Sequence, residues 1–211
     1  MRIQAVVYRN FLVAIVLPFI SGCFATFHTG EVLRSGEKIH GLQVIGMATG
    51  TTGWAKKVMS PDNDMDDTAY YFLAAYFRMG LGKNVDFGLW GSPFAKDSKR
   101  IWTFPYFIPF GGDIKWQFVQ EEYGWPAMSL DIDLRWLPPY YGVGLIASRN
   151  VGRTTGIYGG YKILNHGYNE LFAGLKQEIG ADKWLYLNST HMSASGNTVM
   201  SHNIGIMWSP D

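Results

Sequence analysis

Apolar and polar residues alternate throughout the segment AMSLDIDLRW, residues Ala127–Trp136. One set of alternate positions holds Met, Leu, Ile, Leu and Trp, and the other holds Ser, Asp, Asp and Arg. A period of two predicts a β-strand with one apolar face and one polar face. In a soluble sheet the apolar face packs in the core, whereas in a membrane barrel it faces lipid and the polar face lines the interior. The alternation alone fits both arrangements.

The same pattern predicts ten strands, each close to the ~9–11 residues that a membrane-spanning strand requires. They cover residues 37–47, 69–81, 84–92, 112–120, 127–136, 141–149, 155–163, 169–179, 183–191 and 201–208. After the first 22 residues, no stretch shows a convincing apolar period of 3.6, which would favour a helix. The predicted fold class is all-β: an antiparallel up-and-down transmembrane β-barrel of about ten strands, with eight also possible.

The connections between the predicted strands differ in length. Short turns fall at even-numbered junctions, at residues 82–84, 150–153 and 180–182. The two long connections, 48–68 and 93–111, fall at odd-numbered junctions, although two other odd-numbered connections are short. Short periplasmic turns with longer outer loops are typical of outer-membrane barrels. An even number of strands would leave both chain ends on the periplasmic side.

The polar face of the strands carries enough charge of both signs to form a paired network. If the apolar face points outward, the interior ion network comprises Arg78, Asp86, Lys115, Asp131, Asp133, Arg135, Lys162, Lys176 and Glu178. Five of these side chains are basic and four are acidic, so buried charges could be matched in place. Glycines recur on the same face and would make room for long side chains. We therefore favour the outward orientation over a lipocalin-like soluble barrel with a dry cavity.

The composition supports a large non-aqueous surface. Charged residues make up 17% of the chain, below the ~25% typical of soluble domains, while aromatic residues reach 16% and Gly numbers 25. The net charge of +1 gives no electrostatic argument for nucleic acid binding. The expected partner is outer-membrane lipid, with no nucleic acid, no cofactor and an oligomeric state that the sequence leaves open.

The N-terminus has the pattern of an export signal. Arg2 and Arg9 precede the ten-residue apolar run FLVAIVLPFI. This run has the length of a signal-peptide core and is too short to span a bilayer. The run ends in Ile20-Ser21-Gly22-Cys23, which resembles a bacterial lipobox. The resemblance implies cleavage before Cys23 and acylation of that cysteine, as in palmitate-bearing lipoproteins. An ordinary signal peptide with an incidental cysteine is the alternative.

Two further features bear on the lipid anchor. Cys23 is the only cysteine, so it has no partner for an intramolecular disulfide. Phe24 stands where retained inner-membrane lipoproteins carry Asp, so the resemblance implies delivery to the outer membrane. The predicted organisation is a signal peptide at 1–22, a lipidated periplasmic tether at 23–36 and a β-barrel domain at 37–211.

Short motifs add a resemblance to a class of proteins. The segment Arg78–Phe118 and the segment His28–Leu33 resemble the hairpins and pre-barrel region of small, uncharacterised outer-membrane barrel families of Gram-negative bacteria. The segment Asn203–Trp208 resembles the terminal-strand signal read by the barrel-assembly machinery. These resemblances imply a fold and transient partners in biogenesis, namely the lipoprotein-processing and barrel-assembly machinery. They imply no activity.

One stretch raises the possibility of catalysis. His191-Met192-Ser193 resembles the His-x-Ser of outer-membrane lipid A deacylases, in which His acts as base and Ser as nucleophile. Those enzymes add an acidic residue on the following strand, but residues 194–210 contain none, which leaves Glu170 or Glu178. The five histidines are scattered and form no metal motif, so no metal site is expected.

Three functions therefore stand open from the sequence. The leading hypothesis is a non-enzymatic, lipid-anchored outer-membrane barrel with a structural or interaction role and a largely filled interior. The second is a conduit or lipocalin-like binder for a small or hydrophobic molecule. The third is a deacylase-like hydrolase that uses His191 and Ser193.

Overall fold

A computed structural model describes residues 29–48, 70–97, 110–122, 124–136, 140–194 and 197–210. The predicted signal peptide and Cys23 lie outside the described residues. The strands are β1 (Lys38–Ala48), β2 (Tyr70–Gly80), β3 (Val85–Asp97), β4 (Phe110–Val119), β5 (Ala127–Trp136), β6 (Tyr140–Asn150), β7 (Thr155–Leu164), β8 (Asn169–Gly180), β9 (Lys183–Ala194) and β10 (Asn197–Trp208). A short 3₁₀ helix, Asn165–Gly167, connects β7 to β8.

The strands close into one antiparallel barrel in which each strand pairs with its neighbours in sequence. β1 and β10 complete the circle, in a register that places His40 opposite Trp208 and Ala48 opposite Met200. The predicted ten-stranded up-and-down barrel is confirmed. The largest differences from the predicted bounds are the end of β3 and the beginning of β10, because neither extension continues the alternation of the strand it belongs to.

The orientation of the alternating faces follows from β5. Ile132 and Leu134 are 55% and 57% exposed on the outer surface, whereas Asp131 and Arg135 are 0% and 4% exposed in the interior. If such aliphatic side chains stayed in water, each would lose about 1.5–3 kcal/mol of favourable hydrophobic transfer free energy. The outer surface repeats this pattern on strands from β1 to β10, with exposed Leu42, Leu89, Ile114, Val143, Ile163, Leu171 and Ile206 among others. The apolar face is therefore outside.

The barrel has two distinct ends. The turns at residues 81–84, 120–126, 151–154 and 181–182 lie at the end where β1 begins and β10 ends, which we call the terminal end. We call the opposite end, where β1 ends and β10 begins, the loop end. Asp182 adopts a left-handed conformation with φ of 53° in the turn between β8 and β9. No helix within the described ranges is long and apolar enough to cross a membrane.

Candidate functional site in the barrel interior

Buried charges near the terminal end form one cluster, defined by Arg78, Asp86, Asp113 and Lys115 on β2, β3 and β4. The Arg78 guanidinium donates to the carboxylates of both aspartates. Lys115 Nζ lies 3.5 Å from Asp86 Oδ2. All four side chains are buried. This Arg78 cluster matches two cations with two carboxylates, which is the condition for burying charge at a tolerable cost.

A second cluster lies toward the loop end and comprises Asp131, Asp133, Arg135, Lys162 and Glu170. Lys162 Nζ lies 2.6 Å from Asp131 Oδ2 and 3.0 Å from Asp133 Oδ2. Arg135 donates from Nε to Asp133 Oδ2 at 2.8 Å, and its Nη2 lies 2.7 Å from Glu170 Oε2. In this Lys162 cluster, three carboxylates surround two cations, and all five side chains are buried.

Both clusters are built on the same three-strand arrangement. Gly88 on β3 stands in register between Arg78 on β2 and Asp113 on β4. A Cβ atom at Gly88 would lie 2.7 Å from Arg78 Nη2 and 2.8 Å from Asp113 Oδ1, so a larger residue would separate the charges. Gly144 on β6 stands in the same way between Asp131 and Lys162. A glycine on the middle strand thus lets long side chains on the two flanking strands meet.

The structure brings together seven of the nine residues predicted for the interior network. Arg78, Asp86 and Lys115 lie in one cluster, and the other four lie in the second. Lys176 lies at the margin: its side chain is 25% exposed, its Nζ is 3.3 Å from Glu31 Oε2, and it sits over the Trp184 ring. Asp113 and Glu170 were missed by the prediction, although each occupies an inward position of its strand.

The predicted interior position of Glu178 is wrong. Its side chain is exposed at the terminal end, beside the turn that joins β8 to β9. The register of this strand pair shifts between Glu178 and Gly180. The pairing is regular up to Glu178, which stands opposite Trp184, so Glu178 keeps the inward register but lies at the rim of the barrel, where its side chain reaches solvent.

The middle of the wall made by β9, β10 and β1 carries neutral polar side chains. Asn188 stands opposite Asn203, and Thr190 stands opposite Ser201. Gln43 faces Gly205 on the adjoining pair, and Gln43 and Asn188 are only 1% and 3% exposed. Among the described residues, the side-chain amides of Gln43 and Asn188 and the hydroxyl of Thr190 have no hydrogen-bond partner. We call this surface the amide wall.

Part of the predicted tether lies inside the terminal end of the barrel. We call residues 29–34 the mouth segment. Lys115 Nζ donates to the backbone carbonyls of Thr29 and Glu31, the first at 2.8 Å. Asp86 accepts the backbone N–H of Leu33 at 3.1 Å. The mouth segment is therefore bound to the Arg78 cluster through its backbone.

A cavity of about 410 Å³ lies beside the mouth segment. One part of its lining is charged and comes from the Arg78 cluster. The other part is largely apolar and comes from Ile39, Trp184, Tyr186 and Met207. The cavity thus combines an ionic wall with an aromatic and aliphatic wall at the terminal end.

The residues proposed for catalysis do not form a triad in the structure. Met192 faces the interior, so its neighbours His191 and Ser193 lie on the outer face of β9. Glu170 stands opposite Met192 and points inward, where it pairs with Arg135. Glu178 lies at the other end of the strand pair. Neither acidic candidate reaches His191, and no group of three or more potential metal ligands is found among the described residues.

Comparison with solved structures places the fold in a class. An outer membrane channel from Pseudomonas putida F1 is similar with a TM-score of 0.54 and 11% identity, over 89% of this chain and 100% of that one. A KdgM porin in complex with disordered oligogalacturonate gives a TM-score of 0.41 at 8% identity, over 83% and 99%. The N-terminal β-barrel domain of Pseudomonas aeruginosa OprF gives 0.38 at 7% identity, over 84% and 100%.

These likenesses concern the fold alone. With its apolar outer surface and polar interior, the chain has the architecture of the transmembrane β-barrels found in bacterial outer membranes. Neither a protein-family model nor a curated protein matches the sequence.

Proposed function

We propose that this protein is an outer-membrane β-barrel, anchored by an acylated Cys23, that serves a structural or interaction role and is closed to solute flow. The terminal end faces the periplasm in this proposal, since a lipid on Cys23 would enter the inner leaflet on that side. The observation that carries the proposal is the filling of the interior: two buried ion clusters lie inside, and the mouth segment occupies the terminal end.

The outer surface supports the membrane location. Exposed aliphatic and aromatic side chains surround the barrel. Because the strands form a closed ladder, the backbone N–H and C=O groups of each strand can pair with the strands on both sides. A bilayer core admits such a structure because no strand edge is left open. Trp125 and Tyr141, which are among the most exposed aromatic residues, lie close to the terminal end and the loop end respectively, where aromatic girdles meet the interface.

The interior supports the closed state. Large side chains are fully buried inside the barrel, including Phe72, Lys115, Lys162 and Phe172. Small barrels are narrow enough for side chains to fill them. A second candidate function, a narrow conduit or binder for small molecules, is favoured by the cavity beside the mouth segment and by the polar amide wall.

Conductance separates these two functions. The full-length protein, purified in detergent and inserted into planar lipid bilayers, should give no steady conductance, because buried charges and the mouth segment obstruct the interior. Heat-dependent gel migration of the same sample should show that the barrel is folded. A steady conductance from folded protein would contradict the closed barrel and support the conduit.

The membrane location is tested at Ile132. Ile132→Arg should reduce assembly in the outer membrane, because an arginine facing the middle of the bilayer costs about 2–4 kcal/mol. Val151→Arg is the matched control, since Val151 is 58% exposed in the turn between β6 and β7, outside the strands. The measurement is the heat-shifted fraction in isolated membranes. Equal assembly of both variants would argue against lipid contact at Ile132.

A further inference from the structure

The mouth segment is bound almost entirely through its main chain. Five consecutive residues, 29–33, each use one backbone atom: three carbonyl oxygens accept hydrogen bonds and two N–H groups donate them. The carbonyls are bound by Lys115 and Ser129, and the N–H groups by Gln117 and Asp86. These four side chains project inward from β3, β4 and β5. The barrel wall therefore presents a row of groups that recognises a peptide backbone.

The fit is tightest at Gly30. A Cβ atom there would lie 2.5 Å from the carbonyl oxygen of Ala127 and 2.8 Å from the backbone nitrogen of Ser148. Both are backbone atoms of neighbouring strands, which cannot move aside without disturbing the ladder. The site thus requires glycine at this position of the peptide.

The next residue contributes the side-chain selectivity. Glu31 Oε2 lies 3.3 Å from Lys176 Nζ, and Asn150 Nδ2 donates to Glu31 Oε1 at 3.0 Å. An acidic residue after glycine is therefore matched by a cation and an amide on β8 and β6. Together with the backbone contacts, this defines a preference for a Gly-Glu sequence.

Lys115 explains why the site favours an occupant. Its ammonium group is buried, and two of its three contacts are the carbonyls of Thr29 and Glu31. Without the mouth segment, Lys115 would keep only the carboxylate of Asp86, 3.5 Å away. A buried cation that loses its acceptors is destabilising, and a peptide backbone restores them.

We propose that the terminal mouth of the barrel is a binding site for a peptide containing Gly-Glu, bent at the glycine as residues 29–34 are, and that residues 29–34 are its displaceable resident ligand. In this arrangement the chain seals its own interior with a segment that a second peptide of the same kind can replace. This proposal names a class of ligand for the barrel, a peptide. It rests on the proposed closed barrel only where it says that the mouth segment seals the interior.

The test uses the full-length barrel in detergent and a fluorescent peptide of residues 29–37, TGEVLRSGE. The barrel variant Gly30→Ala should bind this peptide at least tenfold more tightly than the wild-type barrel, because its own segment fits poorly and leaves the site open. A peptide with alanine in place of the glycine at position 30 should show no such binding. Ser35→Ala, an exposed position beyond the mouth segment, should behave as wild type.

Peptide anisotropy gives the affinities, and heat-dependent gel migration shows that each variant is folded. If Gly30→Ala does not assemble, Glu31→Ala removes the contacts of the resident segment with Lys176 and Asn150 while leaving the barrel wall intact, and it should show an intermediate gain in peptide binding. No gain in either folded variant, or equal binding of both peptides, would overturn the mouth site. Steady conductance of the wild-type barrel would overturn the closed barrel instead, so the two failures are distinguishable.

Discussion

The two sides of the barrel interior differ in how they bury polar groups. In the Arg78 and Lys162 clusters, each cation lies within reach of at least one carboxylate, and the arginines reach two. On the amide wall, the side-chain amides of Gln43 and Asn188 are just as deeply buried but have no partner among the described residues. One barrel thus contains a side where each charged side chain contacts an opposite charge and a side where buried amides have no partner among the described residues.

The difference shows that the fold requires partners for buried charges more strictly than for buried neutral polar groups. The closed ladder provides hydrogen bonds for the backbone N–H and C=O groups. The inward side chains therefore contribute to the free energy of unfolding through their own contacts. A neutral polar atom without a partner costs about 1–3 kcal/mol, which a barrel can tolerate at a few positions. An unpaired charge costs considerably more. Charge is therefore found only where carboxylates and cations of neighbouring strands can meet.

The largest effect is expected from placing a charge on the amide wall. Gln43→Glu should destabilise the barrel by roughly 5 kcal/mol at neutral pH, because inward positions next to Gln43 on β2 and β10, such as Ala74 and Gly205, offer no cation. Acidification should recover part of the loss once the new carboxyl group is protonated. Urea unfolding in detergent, followed by tryptophan fluorescence, measures both effects.

The matched control at the same position is Gln43→Leu. Removing an amide that lacks a partner should leave the free energy of unfolding unchanged or raise it by up to about 1–3 kcal/mol, because the cost of the buried unpaired atoms is lost. A loss comparable to that of Gln43→Glu would show that the amide is hydrogen-bonded after all and would remove the contrast between the two walls.

A smaller but still large effect is expected from breaking a pair on the charged side. Arg135→Met should cost about 3–5 kcal/mol, because Asp133 loses its arginine and Glu170 loses the cation that it contacts. Arg149→Met is the control, since Arg149 is exposed near the terminal end of β6. If the two variants unfold at the same urea concentration, the Lys162 cluster does not stabilise the barrel.

The sequence was sufficient to predict the strands and their orientation. A period of two sustained over ten residues, as in β5, defines the two faces, and the low overall charge with balanced signs on the polar face indicates which face is inside. The closed ten-stranded barrel follows from these features because a spanning sheet cannot leave an edge unpaired.

The pairing of charges could not be predicted in the same way. Which carboxylate meets which cation depends on the register of three strands at once, as at Arg78, Gly88 and Asp113. Glu170 was considered only as a partner for His191, although it lies on the opposite face of the barrel wall. Glu178 was misplaced because the alternation does not show where the barrel rim lies, and a side chain in the inward register is exposed there.

The amide wall and the mouth segment were missed for another reason. Gln43 lies between Leu42 and Val44, so its inward position could have been recognised from the alternation, but neutral polar residues were not considered as a set. The mouth segment has the composition of a linker, and its binding depends on side chains more than 50 residues away. Only the three-dimensional structure brings these partners together.

The seam between β1 and β10 gives the barrel a particular folding problem. Every other strand pair is a local hairpin, but the residues paired across this seam are more than 150 positions apart in sequence. Such a contact closes a very long loop, and it raises the contact order of an otherwise local topology. The circle cannot be completed until the last strand has been synthesised and lies beside the first. Until then two unpaired edges are exposed, and edge-to-edge association with another copy competes with closure.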